Sequence, residues 1–262
     1  VLRHRILSAL VGIPLFIAAV WHGNLLLLVF TGLLMVLAAV EMVALFQRLN
    51  LYPPHGLAVL GSLFLLGSAY LYRDAGLGGA VALILFFILV FMVFLYPAFS
   101  PVEGAVTLLA TLYIGLFVYI YLLRLLPNGW IWLTFTLVGT WSSDTVAYFI
   151  GKRWGRRQLA PALSPGKTVE GAVGGLAGSL LAAVAFMIIY PFLPRGPMLL
   201  LGLLLGLAAV VGDLVESAFK RQAGVKDAGD IIPGHGGILD RFDSMLFTAP
   251  LVYYYVGMFI IS

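Results

Sequence analysis

Five carboxylates, Asp144, Asp213, Glu216, Asp240 and Asp243, stand in or beside stretches that are otherwise almost solid hydrocarbon. In "GDLVES" Asp213 has Glu216 and Ser217 at i+3 and i+4, so a helix puts all three polar groups on one face. "DRFD" repeats the i, i+3 spacing with Asp240 and Asp243. The chain has no cysteine and no histidine cluster. Carboxylates grouped this way suit a hard divalent cation such as Mg2+, which takes oxygen ligands and keeps water or phosphate oxygens in its other positions; zinc fits poorly. A plainer reading is also open, in which Asp213, Glu216, Asp240 and Asp243 pair with Lys220, Arg221, Lys226 and Arg241 at a helix mouth.

Basic and glycine-rich segments accompany the acids. "SPGKTVEG" at 164–171 brings Ser164, Lys167 and Thr168 just ahead of a predicted helix start, with Glu170 in its first turn. Free N–H groups at a helix N-terminus with a lysine nearby make a phosphate cradle. It is not a Walker A loop, because Pro161 stands where the first glycine would be. "IPGHGGILD" at 232–240 sets Gly234, Gly236 and Gly237, whose backbone can approach a ligand closely, around His235. His235 suits a phosphate donor, an acid or base, or a loop-fixing group, and Lys226, Asp227 and Arg241 crowd the same stretch. Acids for a metal with Lys, Arg and Gly for phosphates are the equipment of phosphoryl or nucleotidyl transfer.

The elements that hold these groups are membrane helices. At 62% hydrophobic and 10% charged residues the chain lacks the roughly 25% charge that covers a soluble domain. Taking about 20 apolar residues as one span, nine runs qualify, near 5–22, 24–47, 56–72, 77–96, 103–126, 129–151, 170–190, 197–219 and 243–262. The first is read as a retained span, since no small-residue cleavage site and soluble domain follow it. Nine alternating spans from a cytoplasmic N-terminus put Arg3, Arg5, Arg48, Lys152, Arg153, Arg156, Arg157, Lys167, Lys220, Arg221, Lys226 and Arg241 inside, and only Arg73, Arg124 and Arg195 outside. The expected fold is therefore an all-α polytopic membrane protein with its C-terminus outside. The net charge of +4 is a topology signal, and no nucleic acid is expected as a partner.

Asp144 lies seven residues before Gly151 and Asp213 seven before Lys220, so both sit about 10 Å beneath the cytoplasmic ends of their helices. A charged Asp near a span's centre costs about 2.5–3.5 kcal/mol even on the lenient insertion scale, so it must face a wet cavity, a basic partner or a metal. Residues 1–128 read as a transmembrane scaffold, with lipid access or oligomer contacts as its uses. Residues 129–262 read as the catalytic region, with cytoplasmic loops 152–169 and 220–242. Glu41 falls towards the end of its span and is expected to matter little to the site. The glycines of "GAVGGLAG" at 171–178 indicate close helix packing within one chain, and a homodimer is left open.

Ser217, Phe219, Lys220 and Arg221, then Lys226, Asp227, Gly229, Ile232, Pro233, His235, Gly236, Gly237, Ile238, Asp240, Arg241, Phe242 and Asp243, form a spaced pattern. It resembles the signature of the phosphatidate cytidylyltransferases, or CDP-diacylglycerol synthases. "SSDTVAYFIG", "SPGKTVEG" and "GDLVES" also look like shared blocks of that family, in the same order. Gly166 sits where some members carry a second lysine. The resemblance spans roughly 141–243 and implies an enzyme of the inner or plasma membrane. Its reaction would be attack by the phosphate of phosphatidate on the α-phosphorus of CTP, with Mg2+ as cofactor and a second cation left open. It implies Asp213 and Asp240 as leading metal ligands with Asp144, Glu216 and Asp243 close by. It also implies Ser164, Lys167, Thr168, Ser217, Lys220, Arg221, Lys226, Asp227 and Arg241 for the phosphates and headgroup, and His235 with Gly236 and Gly237 for the nucleotide pocket. A CTP-dependent lipid kinase has similar needs. A CDP-alcohol phosphotransferase lacks support because its Asp-Gly to Ala-Arg motif is absent, and an ion transporter because membrane carboxylates are few and the polar loops share one face.

Overall fold

The computed structural model describes residues 16–231 and 236–261. Helices α1 Asn24–Gln47, α2 His55–Tyr72, α3 Leu77–Leu95, α4 Pro101–Gly115, α5 Val118–Leu125, α6 Gly129–Trp154, α7 Val169–Ile189, α8 Arg195–Gln222 and α9 Leu239–Phe259 follow the apolar runs to within about one turn, and residues 16–22 are helical as well. Without water to hydrogen-bond, a backbone in hydrocarbon must satisfy itself, which is why apolar runs become helices.

Among the described residues, five helical segments are long and apolar enough to cross a membrane: Asn24–Gln47, His55–Leu95, Pro101–Leu125, Val169–Ile189 and Arg195–Gln222. The second is α2 and α3 joined by a 3-10 turn, Arg73–Gly76. Helices α6 and α9, at 26 and 21 residues, match two further predicted spans in length. Both are diluted by hydroxyl, acidic and basic residues, among them Thr140, Asp144 and Lys152 on α6 and Asp240, Arg241 and Asp243 on α9. The predicted first span lies largely outside the described residues.

Two compact units emerge, one of residues 1–122 with 219–241 and one of 123–218 with 242–262. The segment 219–241, which the sequence assigns to the C-terminal region, thus packs with the N-terminal helices. In that unit α1 is the inner helix, burying Leu27, Leu34, Met35, Ala38 and Met42 against α2 and α4. Helix α3 buries only Ala80, Ile84 and Ile88, one stripe at i, i+4 and i+8, while Phe86, Phe87 and Phe94 point outward. A fully apolar outer face is what a lipid-facing helix presents. Phe219 packs edge-on against Phe46 at 6.0 Å and Tyr113 at 5.3 Å, fastening the start of 219–241 to α1 and α4.

In the other unit α6 and α7 lie in close contact. A Cβ on Gly174 would come 2.7 Å from Ile150 Cδ1, and one on Gly175 would come 2.9 Å from Ser143 Oγ. The small-residue pattern therefore serves the close packing of α6 and α7 inside one chain. Thr140 and Thr248 link α6 to α9 through their hydroxyls at 2.9 Å, both buried.

The predicted loop 152–169 is more ordered than expected. Helix α6 runs on to Trp154, and β1 Gln158–Ala160 pairs antiparallel with β2 Ser164–Thr168, Gln158 opposite Thr168 and Ala160 opposite Ser164. Glu170 accepts the backbone N–H of Arg156 at 3.0 Å and of Arg157 at 3.2 Å, pinning the entry of the hairpin. Thr168 caps α7, its hydroxyl oxygen accepting the N–H of Gly171 at 3.1 Å. Lys167 is thereby fixed on the last strand before a helix N-terminus.

Candidate active site

Helix α8 presents Asp213 and Glu216 one turn apart, as their spacing predicts, and α9 adds Asp243. Each of the three offers a carboxylate oxygen, and these oxygens lie within 4.8 Å of one another. Glu216 is buried at 1% exposure, while Asp213 and Asp243 beside it are half-buried. Ser244, also buried, donates to Asp144 Oδ1 on α6 at 3.5 Å. Like charges gathered this closely repel unless a cation lies among them.

A cation is present in the form of a side chain. Lys167 Nζ lies 2.5 Å from Asp213 Oδ2, with both side chains partly exposed. The pair borders a cavity of about 450 Å3 lined by Asp144, Tyr148, Lys152, Lys167, Thr168 and Asp213 among others, within the range of about 300–1,000 Å3 typical of small-molecule sites. Tyr148 and Lys152 were not singled out from the sequence, although they stand at i+4 and i+8 from Asp144 on one helix face. Ser164 opens β2, and Ser217 is buried on α8.

In the N-terminal unit, Asp240 has both carboxylate oxygens engaged. Its Oδ1 accepts from Lys220 Nζ at 2.8 Å, and its Oδ2 accepts the N–H of Ala228 at 2.9 Å and of Gly237 at 2.8 Å. Asp240, which the resemblance makes a leading metal ligand, is thus paired with Lys220 in this arrangement. Arg221 donates to the carbonyl of Val225 at 3.2 Å. Lys226, Asp227 and Arg241 are exposed. Gly236 adopts φ +83°, a left-handed conformation that favours glycine. His235 lies outside the described residues.

Glu41, assigned little importance, is buried at 3% exposure and accepts the N–H of Ile238 and of Leu239, each at 2.9 Å. Its signal was available, since it is the one ionisable residue in the run 24–47 and a charge inside a span demands a partner.

Residues 3–259 match the model of the cytidylyltransferase family. The chain is 36% identical over 260 residues to a phosphatidate cytidylyltransferase of Staphylococcus saprophyticus, covering 96% of this chain and 97% of that one. It is 37% identical over 268 residues to the phosphatidate cytidylyltransferase of Bacillus subtilis strain 168, covering 98% of each. A phosphatidate cytidylyltransferase of Staphylococcus aureus strain COL is 35% identical over 262 residues, 96% of this chain and 97% of its own.

Proposed function

The chain belongs to the cytidylyltransferase family, and on that premise we propose that it transfers the cytidylyl group of CTP to phosphatidate, forming CDP-diacylglycerol and releasing pyrophosphate. A phosphate oxygen of the lipid bonds to the α-phosphorus of CTP as the bond from that phosphorus to the bridging α–β oxygen breaks. The nucleophile needs no strong base, because the second pKa of a phosphate monoester is about 6 and the oxygen is already ionised at neutral pH. The task left to the protein is to hold two anions together and to neutralise them.

The observation that carries this reading is Lys167 held against Asp213 at the edge of one cavity, beside the acidic group. Lys167 is placed to exchange its carboxylate for a phosphate. Lys152, on the wall of the same cavity, adds charge for a second phosphate or the lipid headgroup. Ser164 and Thr168 flank Lys167 on β2 and serve the same phosphates. We assign the Mg2+ of the reaction to Asp213, Glu216 and Asp243, with Asp144 beside them, because three carboxylates within 4.8 Å fit an oxygen-loving cation. When bound, such an ion supplies charge neutralisation at the phosphoryl oxygens. Asp240 is held by Lys220, so we give it the part of an anchor in this arrangement. Lys220, Arg221, Lys226, Asp227, Arg241 and Ser217 keep the phosphate and headgroup assignments that the resemblance implies, and His235 with Gly236 and Gly237 the nucleotide pocket.

We place the site at the cytoplasmic face of a nine-span protein with its N-terminus inside. The distribution of Lys and Arg supports this, as do α6 and α9, whose lengths of 26 and 21 residues suffice for a bilayer. The deciding experiment incubates purified protein with cytidine-labelled CTP, Mg2+ and phosphatidate. Label entering the organic phase with release of pyrophosphate is the expected result. A lipid kinase would leave cytidine in water as CDP, and that outcome would remove this reading.

A further inference from the structure

Helix α9 begins at Leu239 and carries Asp240, Arg241 and Asp243 in its first turns. The first N–H groups of any helix have no partner within it. Usually a local Ser, Thr, Asp or Asn supplies the acceptor. Here the supplier is Glu41 on α1, whose two oxygens take the N–H groups of Ile238 and Leu239 separately, at 2.9 Å each, from 197 and 198 residues away in sequence. Asp240 takes the preceding N–H, that of Gly237. Three consecutive amides thus point at two carboxylates, and Arg241 N–H closes the turn on the carbonyl of Ile238 at 3.1 Å.

The approach is tight enough to dictate residue type. A Cβ on Gly237 would fall 2.6 Å from Glu41 Oε2, and one on Gly229 would fall 2.7 Å from Glu41 Oε1. Two glycines of the polar segment therefore make room for the glutamate. All of these contacts lie inside one compact unit. A negative charge set at a helix N-terminus and shielded from water is favourably placed towards the helix dipole.

We propose that Glu41 is a positioning residue for cytidylyl transfer: by clamping the amides of Ile238 and Leu239 it sets the start of α9, and with it the aim of Asp240 and Arg241. The inference rests on the cytidylyltransferase reading. Glu41 touches backbone amides, and its effect reaches the reaction through the turn it holds.

The test uses the full-length protein in detergent or nanodiscs with E41L and E41Q. Two readouts are taken, cytidylyl transfer per folded molecule and amide hydrogen exchange at 238 and 239. Leucine removes both acceptors of a charged group, and turnover per folded molecule should fall about 30-fold or more. Glutamine keeps one carbonyl acceptor and should recover turnover to within about tenfold of the parent. Exchange at 238 and 239 should quicken in both variants, more in E41L. If E41L cannot be recovered folded, G237A and G229A push the same carboxylate aside and should give the same paired signature. The proposal is overturned if E41L keeps turnover within about twofold while losing only thermal stability, or if the two amides exchange as in the parent. Failure of the functional reading would appear separately, as absence of lipid labelling by the unmodified protein.

Discussion

Lys167 and Asp213 meet at 2.5 Å, a strand residue and a helix residue holding opposite charges against each other at the edge of one cavity. Each is the kind of group that the other's ligand would displace: an anion draws the ammonium and a cation draws the carboxylate. Substrate and ion are thereby expected to favour each other's binding.

Asp213→Asn should leave the helix intact and lower turnover by roughly 100- to 1,000-fold, the usual effect of removing one preorganised electrostatic group. The check is lipid labelling at saturating Mg2+ on protein shown to be monodisperse. Near-normal turnover would remove Asp213 from the site. K167M should produce a loss of similar size, and K167R should restore only part, because a planar guanidinium does not replace a compact ammonium.

The Lys220 and Asp240 side chains are only 14% and 7% exposed. Removing one partner of a buried pair costs about 3–5 kcal/mol because the other charge is left uncompensated, whereas removing both costs much less. D240N should therefore lower the melting temperature more than the double variant D240N/K220M does. Additive effects in that cycle would mean the pair is not coupled.

Valine at Gly174 forces a side chain against Ile150, where a Cβ alone would come within 2.7 Å. Overpacking of this kind typically costs about 1–3 kcal/mol. Because α6 also carries Asp144, G174V should lose activity and stability together, and the small partner substitution I150A should relieve both. Unchanged melting would show that α6 and α7 pack less closely than described.

The chain has no cysteine, so a single K226C places a unique thiol on an exposed position of the 219–241 segment. A membrane-impermeant maleimide should label it in inverted vesicles and not in right-side-out ones. The opposite pattern would reverse the proposed orientation and put the site on the wrong side for CTP.

Much of the helical framework was legible because the period of a membrane helix is irrelevant to its detection; mere length of hydrocarbon suffices. The i+3 relation of Asp213 and Glu216 was legible for the same local reason. The junction of Asp243 with them was not, since it depends on how α9 meets α8. Asp240 and Asp243 have equal claims in sequence, and only the fold assigns one to Lys220 and the other to the acidic group. The hairpin escaped notice because "QLA" and "SPGKT" are short and the second contains Pro and Gly, which disfavour strands. Glu41 was visible as an anomaly but its partners were not, since backbone amides have no residue identity to read.

The clamp on Ile238 has a bearing on biosynthesis. A ribosome delivers the glutamate long before the amides 197 positions downstream that will satisfy it, so a nascent chain carries an uncompensated acid in its second apolar run until synthesis is nearly over. Truncated products should be recognisably immature to membrane quality control, and two co-expressed fragments divided anywhere between these partners would have to find each other before either could settle.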